Sequence, residues 1–301
     1  MIRKKQYNDT LIAYIFLAPA ALFMLIFCVY PIIYNISVAM TDMSIMNFRN
    51  HTYSFVGFQQ YVDLLKDPSG MFAIAFKNTL FYTVASIVFQ FLIGFMFALL
   101  LAKRFPLSGF MRGFLMLAWL IPHTVTGLLG KYLFAEAGLV NDVLKSLGII
   151  DSGQAWLVDK RYAMSCVIIM NIWIGIPYNM MLLSTGLTTI PETVYESAAI
   201  DGVNTRQRLF HITIPMLKPT ILTVLTLGFI NTFKVFDLVY VMTGGGPVHS
   251  SEVLSSLSYQ YAFNSSFFSK GSATANILFL ILFLLSLLYQ KLIRNETGEL
   301  S

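Results

Sequence analysis

Residues 191–219 of the chain read PETVYESAAIDGVNTRQRLFHITIPMLKP. This polar segment lies between two apolar runs, 162–185 and 218–242. Each run is long enough to cross a bilayer, which takes about 20 mostly apolar residues. Gly202 predicts a helix end inside the segment, because glycine readily adopts the left-handed conformation found there. The segment is therefore predicted to be a helix–turn–helix that connects two membrane spans.

The two short helices of this segment have predicted start signals. Thr189 and Glu192 have the spacing of a capping box, which would start the first helix and carry it to Ile200. Asn204, with Gln207 three residues later, predicts the start of the second helix.

The composition of the whole chain excludes a soluble globular protein. Its 301 residues are 56% hydrophobic and 12% charged, with a mean hydropathy of +0.69, whereas soluble domains carry about 25% charged residues. The net charge of +5 comes without a basic stripe or a nucleic-acid motif, so no nucleic-acid partner is expected. Cys28 and Cys166 lie inside apolar runs without metal-ligand spacing.

The apolar runs predict an all-α integral membrane protein with six transmembrane helices. Helices are favoured because the runs do not alternate in polarity, as barrel strands would. The first run is too long for the core of a signal peptide and is interpreted as a retained span. The predicted spans are 11–34, 78–102, 112–134, 162–185, 218–242 and 274–293.

Basic residues beside the spans predict that both termini are cytoplasmic. Short cytoplasmic connections carry an excess of lysine and arginine. The residues that favour this orientation are Arg3, Lys4 and Lys5 before the first span, Lys103, Arg104 and Arg112 in the second connection, Arg206, Arg208 and Lys218 in the fourth, and Lys291 and Arg294 after the sixth.

The polar segment resembles the "EAA" coupling loop of ABC importer permeases. In that loop Glu-Ala-Ala is followed at fixed spacings by Gly and by Ile-x-Leu-Pro, and the sequence departs from it only at Ser197 and Ile214. The resemblance implies that a separate ATPase contacts this loop. The implied contact residues are Glu196, Ser197, Ala198, Asp201, Gly202, Ile212 and Pro215.

The likeness extends over nearly the whole chain and points to the sugar-type branch, typified by the larger permease of maltose transporters. It includes Asn171–Gly175 before the loop and Thr243–Pro247 after it. The resemblance implies the type I ABC importer permease fold. The expected organisation is a cytoplasmic tail, first transmembrane helix and outer loop in 1–77, a five-helix permease core in 78–295 with the coupling loop at 189–219, and a cytoplasmic tail in 296–301.

The resemblance also implies an assembly in a prokaryotic plasma (inner) membrane. The expected partners are a second, non-identical permease, two nucleotide-binding subunits and an extracytoplasmic solute-binding protein. ATP and Mg are expected on the nucleotide-binding subunits and no cofactor on this chain, which lacks GxxxxGK[ST]. No enzymatic activity is expected either, since the four histidines His51, His123, His211 and His249 are scattered over different segments.

Family likeness maps the substrate pathway onto five residues, Asn171, Gly175, Tyr178, Asn231 and Lys234. The first three are spaced four and three residues apart, so they share one face of a helix. Asparagine and tyrosine offer donors and acceptors for sugar hydroxyls, and glycine would make room for the sugar ring. The alternative is that these residues hold helices together, as small and polar residues often do in membranes.

Lys234 departs from the maltose permease, which has an amide at this position. Either it binds an anionic sugar such as a uronate, or it forms a structural ion pair with Asp237. The alternative function is an ion-gradient-driven secondary transporter, for which Asp237 is the candidate ion site. A membrane-embedded enzyme would need clustered His, Asp or Glu, and the sequence contains no such cluster.

Overall fold

The structure is a computed structural model that describes residues 2–103 and 105–296, and the side chains of 11–103 and 105–291. Over these residues it is helical, and its only β pairing is an isolated bridge between Thr41 and Phe55. The predicted all-α fold is therefore confirmed. Arg104 and the end of the predicted tail, 297–301, lie outside the described residues, and so do the side chains of Arg3–Lys5 and Arg294. The cytoplasmic position of the termini stays a prediction.

The helices follow one another with short connections. They are α1 (Ile2–Met24), α2 (Tyr30–Ala39), α3 (Ile45–Arg49), α4 (Gln59–Leu65), α5 (Met71–Ala102), α6 (Ser108–Leu120), α7 (His123–Leu133), α8 (Leu139–Ser146), α9 (Ala163–Thr188), α10 (Glu192–Ile200), α11 (Thr205–Gln207), α12 (Ile214–Met216), α13 (Lys218–Phe233), α14 (Asp237–Met242), α15 (Leu254–Tyr259) and α16 (Phe268–Glu296). Three π-helical turns occur at Leu25–Val29, Arg208–Thr213 and Gln260–Asn264.

The contacts divide the chain into two compact units. One contains residues up to Lys66 together with Ser258–Ile277, and the other contains Asp67–Leu257 together with residues from Leu278 onward. The predicted domain boundaries describe membrane topology, which these units do not test, and they stay a prediction.

The first unit is held together by side-chain hydrogen bonds between distant segments. Asn35 Nδ2 donates to Asn276 Oδ1 over 2.7 Å, and Asn276 Nδ2 donates to the Tyr61 hydroxyl over 3.1 Å. The hydroxyls of Thr41 and Ser269 are 3.0 Å apart. Polar contacts of this kind stabilise helix association where lipid removes the hydrophobic driving force.

The second unit is built around the close packing of α5 against α9. A Cβ atom added at Gly94 would lie 2.7 Å from Asn179 Cβ and 3.1 Å from the Met180 amide nitrogen. The backbones of α5 and α9 can therefore approach each other this closely only because residue 94 has no side chain. Buried apolar residues surround this contact, with Tyr82, Met180 and Leu183 among the fully buried side chains.

Within the described residues, four helical segments are long and apolar enough to cross a membrane, namely Leu11–Ala39, Met71–Ala102, Ala163–Thr188 and Phe268–Lys291. They correspond to the first, second, fourth and sixth predicted spans. The third and fifth regions are bent pairs, Ser108–Leu120 with His123–Leu133 and Thr205–Met216 with Lys218–Phe233. Counting each pair as one span gives up to six among the described residues, but the second pair begins inside the predicted coupling loop and overlaps the predicted fifth span, 218–242, only over 218–233.

The third predicted span is not one straight helix. Its two halves, α6 and α7, meet at 94°. Ile121 has an extended conformation with ψ 127° directly before Pro122. Proline disfavours the helical conformation in the residue that precedes it and lacks the amide proton that would continue the helix. The prediction of an uninterrupted helix over 112–134 was therefore wrong, and Pro122 is the cause.

The fifth predicted span, 218–242, is also interrupted. Helix α13 ends at Phe233 and α14 begins at Asp237. Neither proline nor glycine occurs in this break. The Ser255 hydroxyl donates to the Val235 carbonyl oxygen, which has left the helical ladder. A neighbouring side chain thus satisfies a backbone group that the break releases, as interrupted helices in membranes require.

The glycine run after α14 makes a sharp turn. Gly244 and Gly245 have positive φ angles of 61° and 85°. A Cβ atom on Gly245 would lie 2.3 Å from a carboxylate oxygen of Glu252, which is 2% exposed. Asn78 Nδ2 donates to the Glu252 carbonyl oxygen over 3.0 Å. The turn is therefore a densely bonded structure around a buried carboxylate.

Candidate functional site

A cavity of about 420 Å³ in the second unit is lined by all five residues predicted for the substrate pathway. Asn171, Gly175 and Tyr178 come from α9, Asn231 comes from α13, and Lys234 lies in the break after α13. The structure therefore brings together residues that are up to 63 positions apart in the sequence, from Asn171 to Lys234. A volume in this range is typical of small-molecule sites.

Gly175 has a different structural role from the one predicted. A Cβ atom at this position would lie 2.3 Å from Gln90 Cδ and Nε2. The missing side chain therefore makes room for Gln90 rather than directly for a ligand. Gln90 lines the same cavity, and its Nε2 donates to the Asn171 carbonyl oxygen over 2.8 Å. The expectation that Gly175 leaves space for a sugar ring is corrected accordingly.

The side chain of Asn171 retains an unused donor. The residue is 5% exposed, and no described group accepts a hydrogen bond from its Nδ2 atom. An unsatisfied buried amide costs about 1–3 kcal/mol. Because Asn171 also lines the cavity, a ligand that offers an acceptor there would remove this cost.

An aromatic pair forms part of the cavity wall. The rings of Trp119 and Tyr178 are nearly parallel, with centroids 5.9 Å apart and an interplanar angle of 21°. Trp119 was not predicted as a site residue. Trp119 lies just before the sharp bend at Pro122. Pro122 was therefore the one feature of the sequence from which this position could have been predicted. The rings of tryptophan and tyrosine offer a flat apolar surface, and each also carries a polar N–H or O–H group at its edge.

Two opposite charges line the cavity near the break, but they do not form an ion pair. Lys234 and Asp237 are both exposed, and within the described residues neither has a salt-bridge partner. The proposed mutual neutralisation of these two residues is therefore not observed. His123 is a third titratable group on the cavity wall, and the sequence analysis did not assign it there.

The described residues contain no group of three or more His, Cys, Asp or Glu side chains that could hold a metal ion. Cys28 and Cys166 are free thiols. His249 contacts the buried Glu252, with 3.2 Å between Nδ1 and Oε2. No pattern in the sequence indicates this pair, because the burial of Glu252 depends on the fold of the surrounding turn.

The coupling loop folds as two short helices that are bonded to each other. Helix α10 ends before Gly202, whose φ is +71°, as predicted. Asn204 and Gln207 exchange the two hydrogen bonds of a capping box, at 2.8 and 3.0 Å, which confirms the predicted second start. The hydroxyls of Tyr195 and Thr213 are 3.2 Å apart and connect the two halves.

The first helix of the loop begins differently from the prediction. Pro191 occupies the N-cap position, and Glu192 is the first helical residue. Thr189 donates its hydroxyl to the Gly186 carbonyl oxygen over 2.7 Å and so does not cap α10. The predicted capping box at Thr189 was therefore wrong, because this threonine belongs to the end of the preceding helix.

The residues assigned to ATPase contact are unequally accessible. Ala198 is only 6% exposed and packs inside the loop, so its side chain is not open to a partner. Ile212 is partly buried. The exposed members are Glu196, Ser197, Asp201, Gly202 and Pro215. Ile200, which was not predicted, is 87% exposed and is the most accessible apolar residue of the loop.

Comparison with known proteins assigns the chain to a family. Residues 90–295 match the family model of the binding-protein-dependent transport system inner membrane component. The chain belongs to this family, and it is an inner-membrane permease of the ABC transporter type. This membership supports a binding-protein-dependent importer and does not favour the gradient-driven alternative.

Similar proteins cover nearly the whole length of the chain. It is 34% identical over 295 residues to the probable ABC transporter permease protein YurN of Bacillus subtilis (strain 168), covering 97% of this chain and 99% of that protein. It is 31% identical to the sulfoquinovosyl glycerol transport system permease protein SmoG of Agrobacterium fabrum, covering 96% and 92%.

The fold has a close structural counterpart. The crystal structure of a bacterial ABC transporter involved in the import of the acidic polysaccharide alginate contains a chain with a TM-score of 0.82 and 21% identity, covering 98% of this chain and 99% of that one. At this identity the similarity establishes the fold. It confirms that the chain has the architecture of an ABC importer permease.

Proposed function

We propose that this permease forms half of the translocation pathway of an ATP-driven importer for a carbohydrate. The observation that carries the proposal is the convergence of Asn171, Tyr178, Asn231 and Lys234 on one cavity. Their amide, hydroxyl and ammonium groups suit a ligand rich in hydroxyls. The name of the relative from Agrobacterium fabrum, a sulfoquinovosyl glycerol transport permease, supports a sugar derivative.

ATP hydrolysis is assigned to separate nucleotide-binding subunits that hold ATP and Mg. The coupling loop is the proposed contact surface, with Ile200 as its apolar centre and Glu196 beside it. Ile200 is 87% exposed in this chain, and burial of its side chain against a partner would remove apolar surface from water. This assignment places the loop, and with it both termini, on the cytoplasmic side.

The assembly is completed by a second, non-identical permease and an extracytoplasmic solute-binding protein. The second permease is proposed to complete the pathway beside the cavity that this chain lines. The chain itself is proposed to carry out no catalytic step and to bind no cofactor.

The test is uptake into sealed vesicles that contain the assembled transporter. Labelled sugar should enter only when ATP is enclosed and the solute-binding protein is outside. Ile200→Asp should abolish uptake while the subunits still co-purify at reduced yield, because a carboxylate replaces the apolar contact. Ile149→Asp is the matched control, since Ile149 is 64% exposed but lies outside the loop. Uptake driven by an ion gradient without ATP would refute the proposal.

A further inference from the structure

We propose that the cavity accepts an acidic sugar derivative whose carboxylate or sulfonate group binds the ammonium of Lys234. The inference rests on the proposed function of a sugar importer and names the substrate class of the same site. It is carried by the charge arrangement around the break between α13 and α14.

The ammonium of Lys234 lacks a counter-charge. Its residue is exposed to the cavity at the end of α13, and no described carboxylate lies within ion-pair distance of it. A charged side chain inside a membrane span is expensive unless it is paired or faces a water-filled cavity. The anionic group of a ligand supplies the missing partner, and a charge-assisted hydrogen bond is among the stronger polar contacts.

Asp237 determines how such a ligand is oriented. Its carboxylate lines the same cavity and repels a second anion, while it accepts hydrogen bonds from sugar hydroxyls. The acidic group is thereby directed to Lys234 and the hydroxyl groups to Asp237. The other titratable groups on the wall are His123 and Tyr178, and neither is a fixed negative charge at neutral pH.

Two further features fit the sugar part of the ligand. The buried Asn171 Nδ2 donor has no partner among the described residues and requires an acceptor such as a hydroxyl or ring oxygen. The stacked rings of Trp119 and Tyr178 provide a flat apolar surface beside it. The combination of a cation, a neutral donor and an aromatic face matches a sugar with one acidic substituent.

The test compares two sugars that differ at one substituent, which is anionic in the first and neutral in the second. Sulfoquinovosyl glycerol and glucosyl glycerol share the same skeleton, with a sulfonate in the first where the second has a hydroxyl. Calorimetric titration of the assembled transporter in lipid nanodiscs, without nucleotide and without the solute-binding protein, measures binding to the permease itself. The variants are Lys234→Gln and Lys234→Arg, and the charge control is Lys145→Gln on the exposed surface of α8.

Wild type should bind the acidic sugar at least about tenfold more tightly, because a hydrogen bond between an ammonium and an anion is stronger than one between an ammonium and a neutral hydroxyl. Lys234→Gln should abolish this preference, whereas Lys234→Arg and Lys145→Gln should retain it. Equal binding of the two sugars, binding of neither, or a preference that persists in Lys234→Gln would overturn the proposal. ATP-driven uptake of glucosyl glycerol in the vesicle assay would then leave the carbohydrate-importer function standing.

Discussion

Replacement of Gly175 by alanine tests the packing that forms the cavity. The new Cβ atom would lie 2.3 Å from Gln90 Cδ, whereas ordinary contacts between carbon atoms begin near 3.4 Å. Gln90 must therefore move by about 1 Å or more, and its 2.8 Å hydrogen bond to the Asn171 carbonyl oxygen is lost. Overpacking and the unsatisfied amide together should cost about 2–5 kcal/mol of stability.

The cost should depend on Gln90. In a Gln90→Ala background the obstacle is absent, and Gly175→Ala should become neutral or stabilising by about 1 kcal/mol, because alanine is favoured over glycine inside helices. The matched control is Gly228→Ala on α13. Gly228 also lines the cavity, but the nearest atom to its added Cβ is 4.0 Å away. Gly228→Ala should therefore also be neutral or slightly stabilising, as expected for Gly175→Ala in the Gln90→Ala background.

The assay is the thermal unfolding midpoint of the assembled transporter, compared among wild type, the two single variants, the double variant and the control at one heating rate. The expected pattern is a lowered midpoint for Gly175→Ala alone and recovery in the double variant. An equal loss in both backgrounds would refute the reasoning, since the steric effect would then not act through Gln90.

Two further predictions concern the loops. Asn204→Ala removes the acceptor of the 2.8 Å hydrogen bond from the Gln207 amide and should destabilise the second coupling helix by about 1 kcal/mol. Amide hydrogen exchange in residues 205–213 should then be faster than in wild type, and unchanged exchange would contradict the prediction. The pKa of Asp159 is lowered to about 2, mainly by the hydrogen bonds from Arg161. The contribution of this pair to folding stability is therefore present above pH 3.8 and is lost as pH falls through about 2. Arg161→Ala should raise that pKa toward 3.8 in carboxyl NMR titration, and an unchanged value would rule out Arg161 as the cause.

Short-range signals in the sequence were sufficient for most of the fold. The apolar runs located the four long apolar helices, and Gly202 with the Asn204–Gln207 pair located the turn inside the coupling loop. These features depend on residues a few positions apart. Pro122 belongs to the same kind of signal, and its effect on the third span could have been predicted.

The interruption at residues 234–236 could not be read from local sequence. It depends on Ser255, which reaches the Val235 carbonyl oxygen from 20 positions away. The contact of Gln90 with Gly175 is equally non-local, because the two lie on different helices. Family likeness selected the correct cavity-lining positions, but it did not specify what each side chain contacts there.

The hydrogen bonds inside the coupling loop have a mechanical consequence. The Val203 amide donates to the Ala198 carbonyl oxygen over 3.0 Å, and Tyr195 contacts Thr213, so the two short helices are joined on either side of the turn. Such a loop is stiff, and a displacement applied at Ile200 moves it as one body instead of bending it. Helix α13 follows at a bend of 68° and extends over 16 residues, about 24 Å, to the break that carries Lys234. In the proposed transporter, a displacement of the loop therefore reaches the charge that faces the cavity through one bend between two stiff segments.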